Sequence, residues 1–132
     1  MLPNPGARAL NETILATIRL QRHYGARIVI STQEPTLLTN LIPLCSITVI
    51  HRFSSPEWFT AIKRHIPIRP EEHHSVMETI ECLKTGTALV YSPNAVLDRG
   101  EDGGFVKGTG KLMKVKVRKR VTSDGGLSVL AV

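Results

Sequence analysis

Apolar residues recur at four-residue steps from about Ala9, at Leu10, Ile14 and Ile18, with Leu15 widening the stripe. That spacing predicts an amphipathic helix. Gly25 suits the left-handed position just past its end, with Arg22 and His23 near the negative pole of the helix dipole. The next run, Arg27-Ile28-Val29-Ile30-Ser31, holds three consecutive β-branched residues. It reads as a short strand apolar on both faces, as inside a covered parallel sheet. Pro35 stops it, a short helix over 37–42 follows, and 46–52 reads as a second strand.

Ser54-Ser55-Pro56-Glu57 is a helix start, with a hydroxyl cap, proline at the first helical position and then an acid. Trp58, Phe59, Ile62 and Ile66 form the apolar face of that helix, and Pro67 ends it. Arg69-Pro70-Glu71-Glu72 opens another helix, whose buried side holds Val76, Met77, Ile80 and Leu83. Gly86 closes it, and 87–92 reads as a third strand. Residues 93–110 are glycine-rich and read as a long flexible loop. Met113, Val115 and Val117 then alternate with Lys114, Lys116 and Arg118, which predicts a half-buried strand with a basic outer face. Ser123-Asp124-Gly125-Gly126 supplies a turn, and 127–132 returns as the partner of a carboxyl-terminal antiparallel hairpin. The fold class is therefore α/β, a small and mainly parallel sheet with flanking helices followed by that hairpin.

The chain of 132 residues has room for one domain, 1–132, with an irregular lead over 1–8 where Pro3, Pro5 and Gly6 fall. No apolar run approaches the roughly 20 residues needed to cross a bilayer, so no membrane partner is expected. The start of the chain lacks a basic-then-apolar signal pattern, which points to an intracellular protein, cytoplasmic or nuclear. Cys45 and Cys82 lack metal-ligand spacing and read as reduced thiols, and no metal site is expected. Adjacent His73 and His74 point in different directions on a helix and read as surface residues. The formal net charge of +6 favours an anionic partner.

Candidate chemistry concentrates at Ser31-Thr32-Gln33-Glu34, because ligands in open α/β sheets bind at the carboxyl ends of strands. Ile30-Ser31-Thr32-Gln33-Glu34-Pro35-Thr36, Leu41-Ile42-Pro43-Leu44-Cys45 and Val49-Ile50-His51-Arg52-Phe53 together resemble the segment after the Walker B strand of HerA/FtsK-type ring ATPases. Leu83-Lys84-Thr85-Gly86-Thr87-Ala88-Leu89-Val90 is similar to a later stretch of the same P-loop proteins, so the resemblance covers roughly residues 10 to 131. It implies a partial RecA-like sheet and a translocase- or helicase-type ATPase that moves DNA or another polymer. It also implies Gln33, with Thr32, as a polar sensor of the nucleotide γ-phosphate and Arg52 as a phosphate-reaching arginine, with ATP and Mg²⁺ as cofactors. Gln33 and Arg52 are thus the catalytic candidates, and Thr32 and Gln33 the nucleotide-binding ones. A turn-capping amide and a surface arginine are the alternative readings.

Both defining nucleotide motifs are missing. Gly104-Phe105-Val106-Lys107-Gly108-Thr109-Gly110-Lys111-Leu112 has Phe105 where a Walker A loop needs its first glycine, and Leu112 where it needs a hydroxyl for Mg²⁺. Ala95-Val96-Leu97-Asp98 is too short for Walker B, and Arg99 follows instead of an acid. The resemblance places the acidic pair just upstream of Met1, so the chain reads as the carboxyl-terminal half of an ATPase domain, inactive alone. Strands without their neighbours are expected to self-associate or to assemble with a full-length ring ATPase. The alternative is a non-catalytic binding or regulatory module, either a degenerate ATPase relative or a small basic nucleic-acid binder. For the latter, Lys114, Lys116, Arg118 and Arg120 are the DNA-contact candidates, since phosphate contacts need spaced cations. A solvated basic face is the rival reading of that strip, which has no aromatic residue to stack on a base.

Overall fold

The computed structural model describes residues 5–119, without the side chains of 5–8, 11, 37 and 38. Helix α1 spans Pro5–Leu20, so the irregular lead is shorter than expected and helix already includes residues 5–8. Its carboxyl end closes as the glycine predicted: Gly25 has φ +60°, the Ala26 amide donates to the Gln21 carbonyl, and the Gly25 amide donates to that of Arg22. This pair of bonds is the Schellman arrangement that caps orphan carbonyls. Ile18 is buried, whereas Leu10 is 61% exposed, so only the later half of the apolar stripe is seated.

Two 3₁₀ turns, Pro35–Leu38 and Ile42–Leu44, stand where one short helix was expected. Strand β1 (Thr48–Ile50) follows, then helix α2 (Pro56–Lys63). The cap of α2 is Ser55, whose hydroxyl accepts from the Trp58 amide at 3.3 Å. Helix α3 (His73–Glu81) comes after a 3₁₀ turn at Pro70–Glu72. Strand β2 (Thr87–Tyr91), the short strands β3 (Val96–Arg99) and β4 (Phe105–Lys107), and β5 (Leu112–Lys116) complete the described chain.

The class is mixed α/β, but the sheet is not mainly parallel. Strands β1, β2 and β5 form one sheet in that order, with both pairings antiparallel. Residues 27–31 belong to neither sheet. They have no ladder partner among the described residues, and Val29 is 93% exposed. Three β-branched residues favour extended backbone, yet nothing in that preference supplies a neighbouring strand. Residues 93–110 are also not a plain loop: they contain the antiparallel β3–β4 ribbon, with a register irregularity between Val96 and Asp98. The partner strand expected over 127–132 lies outside the described residues.

Both helices between β1 and β2 pack on one face of the sheet. Ile50, Phe59, Ile62, Ile66, Ile80, Leu83 and Leu89 form the core, with Val76, Met77, Tyr91 and Leu112 against it. Ile80 and Leu83 are almost wholly removed from water, and each contributes about 1.5–3 kcal/mol through burial. Exposure along β5 follows the expected alternation, with Lys114 and Lys116 exposed and Met113 and Val115 half-buried, and register adds which way each set faces. Lys114 lies opposite Leu89 and Leu112 opposite Tyr91, and directly opposed residues share a face. Lys114 and Lys116 therefore lie on the helix side of the sheet, and Met113 and Val115 on the other. The lysines stay exposed because the core reaches only Leu112 on this strand. No helix among the described residues is long and apolar enough to cross a membrane.

In the arm made by the β2–β5 pair and the β3–β4 ribbon, Gly108 directly follows β4. Its amide donates to the Ala95 carbonyl at 2.8 Å, and a Cβ there would run into the Ser92 carbonyl. Gly108→Ala is expected to cost about 1–3 kcal/mol by overpacking, and Ile80→Ala about 2–5 kcal/mol by leaving a cavity. Chemical denaturation midpoints measure both.

Candidate functional site

The polar run after residue 30 folds as a self-capped turn. The Thr32 hydroxyl accepts from the Glu34 amide at 3.0 Å and donates to the Glu34 carbonyl at 3.2 Å. Thr36 donates to a Glu34 carboxylate oxygen at 3.1 Å, and Pro35 begins the 3₁₀ turn. Thr32 is thus engaged locally, as small hydroxyl residues at turns commonly are. Gln33 is exposed, and its amide makes no hydrogen bond among the described residues. Arg52, two residues past β1, is exposed as well. No contact joins Gln33 to Arg52.

Near this turn a shallow cleft of about 430 Å³ lies between the first 3₁₀ turn and α2, lined by Thr36, Thr39, Glu57, Thr60 and Arg64 among others. Three hydroxyls and one guanidinium can hold an anion in principle, but Glu57 opposes that, and neither Gln33 nor Arg52 lines the cleft. The residues present do not fit ATP with Mg²⁺. The stretch 104–112 that resembles a phosphate loop is occupied by β4, a buried Gly108 and the start of β5, with a strand where the phosphate loop needs a helix. The carboxylate of Asp98 accepts from the Arg99 amide at 2.8 Å. Among the described residues no group of three or more His, Cys, Asp or Glu side chains is placed to hold a metal.

The histidine reading needs one revision. His73 is half-buried and meets the Phe59 ring edge-on, with centroids 5.9 Å apart, so it packs and is not simply a surface residue. Both cysteines are free, and partial burial raises the Cys45 thiol above its ordinary pKa.

The basic strip is exposed at Lys114, Lys116 and Arg118, while Arg120 lies outside the described residues. Sequence reasoning stopped short of the ribbon before it. There Arg99 pairs across from Phe105 and Val96 across from Lys107. The signal was present as two short apolar pairs, Val96-Leu97 and Phe105-Val106, flanking an Asp-Gly-Gly turn. No protein-family model, curated protein or solved structure matches the chain.

Two outcomes follow from these environments. Gln33→Ala is expected to leave stability within about 0.5 kcal/mol of the parent, as at other unbonded surface positions, whereas Thr32→Ala costs about 0.5–1.5 kcal/mol by removing turn hydrogen bonds; thermal melts compare them. Because the thiolate of Cys45 is disfavoured, its alkylation rate is expected to keep climbing at pH values where a free cysteine has already levelled off. Mass spectrometry of the Cys45 peptide reads that rate.

Proposed function

We propose that this chain is the sensor-bearing carboxyl-terminal part of a HerA/FtsK-like P-loop ATPase, inactive by itself. One observation carries the reading: an apolar segment, 28–30, belongs to no ladder among the described residues and leads to an exposed Gln33 that makes no hydrogen bond there. A strand of this composition with free backbone groups is what a sheet looks like where its neighbours are supplied by other polypeptide. Gln33 then presents an uncharged donor at the strand's carboxyl end, and Arg52 adds a cation at the end of β1. The antiparallel β1–β2–β5 sheet adds no weight to a RecA-like fold, so the reading rests on the motif residues and this segment. The same exposed segment makes self-association, or assembly with a full-length ring ATPase, the expected way of covering Val29.

A non-catalytic regulatory subunit of such a ring is the second reading, favoured by Phe105 and Leu112 standing where a phosphate loop would need its first glycine and its hydroxyl. The two differ in what Gln33 does once the missing half is supplied.

The test mixes the chain with the amino-terminal half of a HerA/FtsK-type domain and measures co-elution and ATP turnover. Alone, the chain is expected to show no turnover. The mixture is expected to co-elute and to hydrolyse ATP, with Gln33→Ala lowering the rate about 10²- to 10³-fold, as loss of a preorganised donor does. Co-elution without any effect of Gln33→Ala selects the regulatory reading. Turnover by the chain alone that survives both Gln33→Ala and Arg52→Ala contradicts the proposed roles.

A further inference from the structure

The six cations of residues 107–119 are Lys107, Lys111, Lys114, Lys116, Arg118 and Lys119, with no acid among them. They equal the formal net charge of the whole chain, +6. The positive field is therefore concentrated on the returning half of one β-arm. The ribbon at the end of that arm adds a second, independent feature. Phe105 is 64% exposed, although burying a phenylalanine is worth about 1.5–3 kcal/mol.

Cross-strand register puts Arg99 directly opposite Phe105, and Phe105 and Lys107 are two residues apart on the same strand. Residues so related project from one face. The ring thus has one cation across the ribbon and another two residues along its own strand, while Asp98 is paired with Val106 on the other face. The nearby acids are in the turn, where the Asp102 carboxylate accepts from the Gly104 amide at 3.0 Å. Arg99 and Lys107 have no ion-pair partner among the described residues.

We propose that Arg99, Phe105 and Lys107 form a binding site for single-stranded nucleic acid, extended along the arm by Lys111, Lys114 and Lys116. An exposed ring accepts the face of an unpaired base, and the cations beside it meet the neighbouring phosphates. Bases inside a duplex are already stacked and cannot reach the ring, so the site selects single strands. Stacking and phosphate contacts do not sense the ribose 2′-hydroxyl, so DNA and RNA bind alike. This site stands apart from the ATPase reading and is open to test whether or not that reading holds.

Fluorescence anisotropy of labelled oligo-dT, oligo-rU and a duplex, each about 20 units long, tests it at low salt and at roughly 200 mM salt. Both single strands are expected to bind equally, and the duplex at least about tenfold more weakly. Phe105→Ala is expected to weaken single-strand binding about 5- to 150-fold without changing the salt slope, and Phe105→Trp to retain it. Lys107→Ala is expected to lower the log–log salt slope by about 0.7. Circular dichroism establishes that each variant is folded. Absence of binding at low salt, equal affinity for the duplex, or indifference to Phe105→Ala overturns the proposal. So does a Phe105→Ala variant that binds oligonucleotides normally but turns a self-associated species into a monomer, which would make this face a protein interface.

Discussion

Strand β2 is hydrogen-bonded along both edges, to β1 on one side and β5 on the other. Leu89 on this strand meets the fully buried Ile80 and Leu83, so one five-residue segment ties the sheet to both helices. Strand β1 ends and β2 begins at the same end of the sheet, as antiparallel neighbours do, and α2 and α3 in the connection between them bury their apolar faces against it. On the other side, β2 and β5 form the base of the arm, and Gly108 passes close to the Ser92 carbonyl there. Loosening β2 would free the core, the arm and the basic strip together.

Local chemistry made the helices legible. Ser55-Pro56-Glu57 announced α2, and the observed cap is the Ser55 hydroxyl on the Trp58 amide. Gly25 announced the end of the first helical segment, and it takes the left-handed conformation expected of it. Ile80 and Leu83 were readable as core from helical spacing alone. What escaped depends on partners distant in sequence. The run Ile28-Val29-Ile30 states a preference for extended backbone but cannot state that a neighbour is present, and here Val29 faces solvent. Alternation along 113–118 gives a period, whereas the face that meets the helices is set by the pairing of Leu112 with Tyr91. In the ribbon, the irregularity after Val96 breaks the two-residue period that would have marked β3 as a strand.

The candidate site divides in the same way. Gln33 was recognisable as a polar residue at the end of an apolar run, and the structure leaves it exposed and uncommitted; Thr32 instead spends its hydroxyl on Glu34. Arg52 is exposed as well and makes no hydrogen bond to Gln33. The Arg99–Phe105–Lys107 group was illegible because it depends on cross-strand register within a stretch whose glycines suggest a loop.

The result is a three-stranded antiparallel sheet beside an apolar segment, 28–30, that has no ladder partner among the described residues. Hydrogen–deuterium exchange on the monomeric protein tests that division most directly. Amides 88–90 of β2 are expected to be strongly protected, and amides 28–30 to exchange nearly as fast as an unstructured peptide. Comparable protection of the two segments would mean that 28–30 is paired within the chain, and would contradict the account.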